Sequence, residues 1–373
     1  MSLMHTNRSL PPFDGYTRMR PERTPRRVRA IAALIIATTT LAGCGASSTT
    51  GSQADSQHST AASGTTGSFP VSITHRYGTT TISSRPTRIA TVGWASDDNL
   101  IALGKVPVSI AKNTYGKTVD GGFLPWTKAA LDKMGVSAKN MPQLHDESDD
   151  IDAEAIATVN PDLIIGLQSG MTKEQYGTLS VIAPTIAYQK VSWGDPWRGM
   201  ITTTAKAIGE PSKGKKLIAG LEQRIDAAAA QYPQIKGKTA AVMYFDASKL
   251  SQFSVYTTTD VRPQYLNDLG MKTPASVTAL SKTTKNFYTD VSSEHADQFK
   301  DVDVIVTYGT PGLFKAMQRD PLLSTIPAVK RGSVVVIDST STLANALDPS
   351  ALSIRATVDQ YAKLLGAAAS RVK

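Results

Sequence analysis

A serine nucleophile on an α/β scaffold sits in a Gly-x-Ser-x-Gly elbow, and none occurs in the 373 residues. A phosphate cradle needs glycines, a lysine and a Mg²⁺-binding hydroxyl. Gly209-Glu210-Pro211-Ser212-Lys213-Gly214-Lys215-Lys216 is a near miss: Lys216 stands where Ser or Thr belongs, and no apolar strand runs directly into it. The histidines are His5, His58, His75, His145 and His295, and none has the second histidine four residues away that a helical metal motif needs. His145-Asp146-Glu147-Ser148-Asp149-Asp150 offers the donor types for a metal, but without ligand spacing it reads first as a solvated acidic loop. No metal site and no catalytic residue is predicted. These residue types point to binding.

Charge narrows what could be bound. The net charge is +9, but residues 1–29 carry seven arginines against Asp14 and Glu22. The remaining excess is spread without like-charge blocks or a basic stripe interleaved with aromatics, which excludes nucleic acid as the expected partner. Arg26, Arg27 and Arg29 precede an apolar run over residues 30–42, too short to span a bilayer. Arg26-Arg27 hints at twin-arginine export, and Met19 is an alternative start. The run ends in Leu41-Ala42-Gly43-Cys44, with the only cysteine of the chain, which resembles the lipobox of bacterial lipoproteins. The resemblance implies a signal peptide over residues 1–43 and lipidation of Cys44, which would remove thiol catalysis as well. Residues 44–68 are rich in Ser, Thr, Gly, Gln and Ala, a composition that cannot bury enough surface to offset chain entropy, and read as a flexible tether.

From residue 88 onward, strand-like and helix-like runs alternate. Ile89-Ala90-Thr91-Val92-Gly93 is a strand followed by Ser96-Asp97-Asp98, a helix-start signal. Further strands are read at residues 106–110, 161–167, 184–188, 239–245, 253–257, 302–308 and 333–338. Helices are read at 99–104, 152–159, 172–182, 195–208, 263–269 and 349–365. Between the two sets, residues 211–231 place Leu217, Ile218, Leu221, Ile225, Ala228 and Ala229 at helical spacing, and Tyr232-Pro233 ends the run. The pattern predicts an α/β fold of two Rossmann-like lobes, residues 69–210 and 233–373, joined by a single long helix over 211–232. The ligand cleft is expected between the lobes. An internal echo supports two related halves: Glu154 leads through a short helix to Asp162-Leu163-Ile164-Ile165, and Glu294 likewise to Asp303-Val304-Ile305-Val306.

Several motifs then fall in a consistent order. They include Thr74-His75-Arg76-Tyr77-Gly78-Thr79-Thr80, Arg85-Pro86-Thr87-Arg88-Ile89-Ala90, Leu103-Gly104-Lys105-Val106-Pro107-Val108 and Glu154-Ala155-Ile156-Ala157. Asn160-Pro161-Asp162-Leu163, Leu179-Ser180-Val181-Ile182-Ala183-Pro184, Tyr265-Leu266-Asn267-Asp268-Leu269-Gly270, Val291-Ser292-Ser293-Glu294 and Ser350-Ala351-Leu352-Ser353 continue it. Over about residues 70–366 the chain resembles the helical-backbone (class III) substrate-binding lipoproteins of ABC importers, nearest the iron-siderophore branch. The resemblance implies a monomeric, extracytoplasmic, lipid-anchored protein of the cell membrane that captures a ferric siderophore for a permease dimer with its ATPase. Iron would arrive chelated, with no resident cofactor. Vitamin B12 or haem is the alternative ligand within the same fold, and a surface-anchored hydrolase is a third reading that lacks its nucleophile motif.

Two roles follow from the resemblance. Glu154 and Glu294 match the glutamates that dock the two lobes on permease arginines, although an acid at a helix start is also favoured by the helix dipole alone. Ligand contacts are expected near strand ends at Trp94, Tyr115, Trp126, Gln168 and Ser169 of the first lobe, and at Arg262, Tyr288 and Tyr308 of the second. Aromatics would stack on siderophore arms, and Arg262 would face the negative charge of a catecholate or carboxylate chelate.

Overall fold

A hairpin opens residues 67–373, the part of the chain that the structure, a computed structural model, describes. The leader, Cys44 and most of the polar stretch after it lie outside those residues. In the hairpin, β1 (Val71–His75) pairs antiparallel with β2 (Gly78–Ile82). Val71, Ile73 and His75 point inward and alternate with exposed Ser72 and Thr74. The sequence reading placed no strand here.

The first sheet contains β3 (Ile89–Thr91), β4 (Ser109–Ala111), β5 (Gln143–His145), β6 (Leu163–Gly166) and β7 (Thr185–Ala187), ordered β5-β4-β3-β6-β7 and parallel throughout. β3, β6 and β7 are buried along their whole length, as expected of parallel strands covered by helices on both faces. The second sheet contains β8 (Ala240–Phe245), β9 (Gln252–Tyr256), β10 (Tyr288–Ser292), β11 (Val304–Gly309) and β12 (Val334–Asp338), ordered β10-β9-β8-β11-β12. Here β8, β11 and β12 are parallel, whereas β9 pairs antiparallel with both of its neighbours, β8 and β10.

The internal echo has a structural counterpart. Asp162 accepts hydrogen bonds from the backbone N–H groups of Thr87 and Arg88, at 2.7 and 2.9 Å, and so fixes the entry to β3 beside β6. Asp303 accepts from the Thr239 N–H at 3.0 Å and does the same for β8 beside β11.

Between the sheets runs the helix Pro211–Ala230, with proline in its first turn and Leu217, Leu221, Ile225 and Ala228 buried. Its core face packs on the preceding helix, Trp197–Ala207, and on the last helix, Ala351–Ala369. The last helix begins in a capping box, Ser350 to Ser353, and also touches the helices Ser96–Ala102 and Pro125–Lys133 of the first lobe. One hydrophobic core therefore passes from Leu100, Ile165 and Trp197, through Leu221 and Ile225, to Val242, Val306, Ile354 and Tyr361.

Candidate functional site

The carboxyl ends of β3 and β4 meet the second lobe at a narrow crevice. Gly93, Trp94, Ala95, Asp97, Asp98, Ala111, Asn113, Leu124 and Trp126 line it from the first lobe, and Asn345, Asp348 and Ser350 from the segment before the last helix. Strand ends facing a second lobe are where open α/β sheets hold ligands. The enclosed volume is about 10 Å³, the space of one water, so a larger ligand needs side chains or lobes to shift.

Backbone geometry builds the first wall. Gly93 has φ +71°, and a Cβ there would lie 2.3 Å from the Gln168 carbonyl oxygen, so only glycine fits. This lets the Trp94 N–H donate to that carbonyl at 2.8 Å. Glu147 accepts from the Gly93 N–H at 3.0 Å and is held by His145 Nε2 at 2.9 Å. The acidic run read as a solvated loop thus has His145 and Glu147 turned inward as a brace behind the crevice. Among the described residues no cluster of His, Cys, Asp and Glu is arranged to hold a metal.

Ala95 follows in a left-handed conformation and caps the helix Ser96–Ala102 without a side-chain hydrogen bond. Asp97 and Asp98, read as a helix-start signal, do not serve as the cap and are buried instead. Asp98 accepts from Trp126 Nε1 and from Thr127 Oγ1, both at 2.6 Å, and from the Ser350 hydroxyl of the opposite side. Burial pushes the Asp98 carboxyl up to about 6 against the pull of those three bonds, and burial together with the Asp98 charge raises Asp97 well above the ordinary range. Trp126 reaches the crevice as expected, but its indole N–H is already engaged.

Four of the expected contacts form one chain across the lobes. Trp94 stacks on Tyr115 at 6.4 Å between ring centroids, and Tyr115 meets Tyr308 edge-on at 6.3 Å. The Tyr308 hydroxyl accepts from Arg262 Nε at 3.0 Å. Arg262 is only 8% exposed, pairs with Asp260 at 2.7 Å, and lies over the Tyr256 ring at 4.6 Å. Its guanidinium therefore already faces a carboxylate of its own lobe, where the expectation had it facing the negative charge of a chelate. The pairing follows from Asp260, which caps the helix Val261–Asp268 two residues before Arg262.

The remaining expected residues are differently placed. Gln168 is fully buried; its Nε2 donates to Asp348 Oδ2 at 3.1 Å and to the Trp193 carbonyl at 3.1 Å, and its Oε1 accepts from the Asp195 N–H at 3.2 Å. It joins the lobes with its amide engaged on both sides. Ser169 Oγ donates to Gly166 O at 2.7 Å, back towards its own strand. Tyr288 opens the edge strand β10 opposite Tyr256, beyond the crevice lining. Glu154 and Glu294 are exposed at the starts of Ala153–Thr158 and of the 3₁₀ helix Ser293–Phe299, which kinks at His295.

Asn345 and Asp348 were not singled out from sequence, and Asp97 and Asp98 only as a helix-start signal. The Asp97-Asp98 pair three residues beyond Trp94 was the available signal, because it falls just past the carboxyl end of a buried strand. Trp193, which holds the unusual φ of 61° for a bulky residue, marks the same neighbourhood.

Known proteins bear out the architecture. The sequence profile described as periplasmic binding protein matches residues 89–340. The chain is 28% identical over 237 residues to the probable siderophore-binding lipoprotein YfiY of Bacillus subtilis, covering 63% of this chain and 67% of that one. It is 27% identical over 278 residues to the Fe(3+) dicitrate-binding periplasmic protein FecB of Escherichia coli, with coverages of 73% and 83%. In three dimensions it resembles PiaA of Streptococcus pneumoniae, solved with ferrichrome: the TM-score is 0.77 at 38% identity, over 81% of this chain and all of the solved PiaA chain.

Proposed function

The chain belongs to the periplasmic binding protein family, and from that premise we propose that it captures a ferric siderophore outside the cytoplasm and delivers it to an ABC permease. It is a substrate-binding transport protein and not an enzyme. The observation that carries the ligand class is the likeness to the whole solved PiaA chain, together with a crevice at the carboxyl strand ends lined by Trp94, on which Tyr115 stacks. We assign the stacking contacts to Trp94, Tyr115 and Tyr308. Arg262 acts through Tyr308, as the charged support that fixes its hydroxyl.

Three further parts belong to the same proposal. Cys44 carries the lipid that holds the protein at the membrane, Glu154 and Glu294 dock a two-fold permease served by an ATPase, and the protein works as a monomer. Two exposed carboxylates at equivalent helix starts of the two lobes supply a charge pattern suited to a two-fold partner.

Tryptophan emission tests the ligand reading, because Trp94 and Trp126 both line the crevice. A ferric siderophore is expected to quench it, the iron-free form much less, and Trp94→Phe is expected to reduce the amplitude. Absence of quenching across hydroxamate, catecholate and citrate chelates would sink the reading.

A further inference from the structure

Ferric siderophores differ in charge. Three hydroxamates balance Fe³⁺ and give a neutral complex such as ferrichrome, an added ammonium makes a cation, and catecholate and citrate complexes are anions. The relatives divide on this point: FecB is named for a citrate complex and PiaA was solved with ferrichrome. The lining of this chain's own crevice favours one side.

Asp97, Asp98 and Asp348 are among the twelve lining residues, and no Lys, Arg or His is. Glu147 braces Gly93 from behind and adds its charge to that felt by Asp97. The buried cation Arg262 is paired with Asp260, though Asp348 also feels its charge, and Lys112 is exposed beside Asp146. A second kind of group points the same way. Asn345 is 3% exposed and lines the crevice; its Nδ2 donates to the Tyr115 carbonyl at 3.0 Å, while its Oδ1 has no partner. A buried, unpartnered acceptor on the lining is open to a donor, whether a water or a ligand's N–H.

We propose that the crevice discriminates by charge, admitting neutral or cationic ferric trihydroxamates and rejecting anionic chelates, with Asp97, Asp98, Asp348 and Asn345 receiving the ligand's N–H groups. The proposal rests on the ferric-siderophore reading above. Bringing an anion against buried carboxylates places like charges together where water screens them poorly. Burial raises all three aspartates, so they carry protons more readily than exposed ones. A nearby cation favours their charged form, whereas a nearby anion disfavours it further, so the anionic chelate binds at a cost that the neutral and cationic ones do not meet.

The test titrates the full-length protein in detergent with ferrichrome, ferric ferrioxamine B as the cation, and ferric citrate and ferric enterobactin as anions. The two hydroxamates are expected to bind, and the anions at least about tenfold more weakly. An anionic chelate bound as tightly as ferrichrome overturns the charge selection and leaves the carrier reading standing. Failure of every chelate to bind overturns both. Asp97→Asn and Asp348→Asn, each checked by melting, are expected to narrow the gap between the cation and the anions. An unchanged gap in folded variants removes these carboxylates as its cause, and the wild-type series is decisive if neither variant folds.

Discussion

Asp98 gathers donors from three parts of the chain: Trp126, Thr127 and Ser350. Its carboxyl titrates at the ordinary 3.8 when unfolded and at about 6 when folded, because burial disfavours the charge. The folded state therefore holds the proton more tightly, and this group's contribution to stability is present below about pH 4 and lost as pH rises to about 6. His75, lowered by burial, works in the opposite sense below its ordinary 6.5, so the informative quantity is a difference between proteins. We predict that the urea midpoint of Asp98→Asn, relative to wild type, rises from about pH 4 to about pH 6. A flat difference across that window would show that Asp98 does not titrate there. At this scale the sequence was informative about aromatics and poor about partners. Trp94 and Tyr308 follow or occupy recognisable strands, whereas the Arg262–Asp260 pair and the engaged amide of Gln168 depend on which groups burial brings within reach.

The helix Pro211–Ala230 was legible because its apolar stripe is long and ends at Tyr232-Pro233, and β6 and β11 because strands buried on both faces read as unbroken apolar runs. The hairpin of β1 and β2 was missed because three inward residues among threonines and serines make a faint period. The same holds for three-residue β5 and edge strand β10, and short helices such as Leu313–Arg319 lack enough turns to show a period. Two glycines of the long helix provide opposite predictions. A Cβ on Gly214 would lie 2.5 Å from Ala205 Cβ on the neighbouring helix, whereas one on Gly220 would meet nothing within 4 Å. Gly→Ala gains about 1 kcal/mol of helix propensity, and overpacking costs about 1–3 kcal/mol. Gly220→Ala is therefore expected to raise the melting temperature and Gly214→Ala to lower it. The same sign at both sites would refute the close approach of these helices.

Across the whole molecule the lobes share more than the connecting helix. Gln168 meets Asp348, Asn345 donates to the Tyr115 carbonyl, and the core runs unbroken from one sheet to the other. Such a body accommodates a ligand by local shifts at the crevice better than by wide hinge closure. X-ray scattering profiles with and without a ferric ligand are expected to superimpose, and a contraction typical of closing domains would contradict this.

The last helix carries a consequence for the order of events during synthesis. Its cap, Ser350, supplies a hydrogen bond to Asp98, the Ala351 N–H donates to Asn99 Oδ1 at 3.1 Å, and its body packs on the helices Ser96–Ala102 and Pro125–Lys133. These partners of the first lobe thus lie some 250 residues downstream, so its packing is completed by the part of the chain made last. Chains usually fold domain by domain from the amino end as they emerge. Here the first lobe gains its last contacts only once Ser350 and Ala351 have been made, so a chain that stops before them is expected to leave Asp98 and Asn99 without these partners.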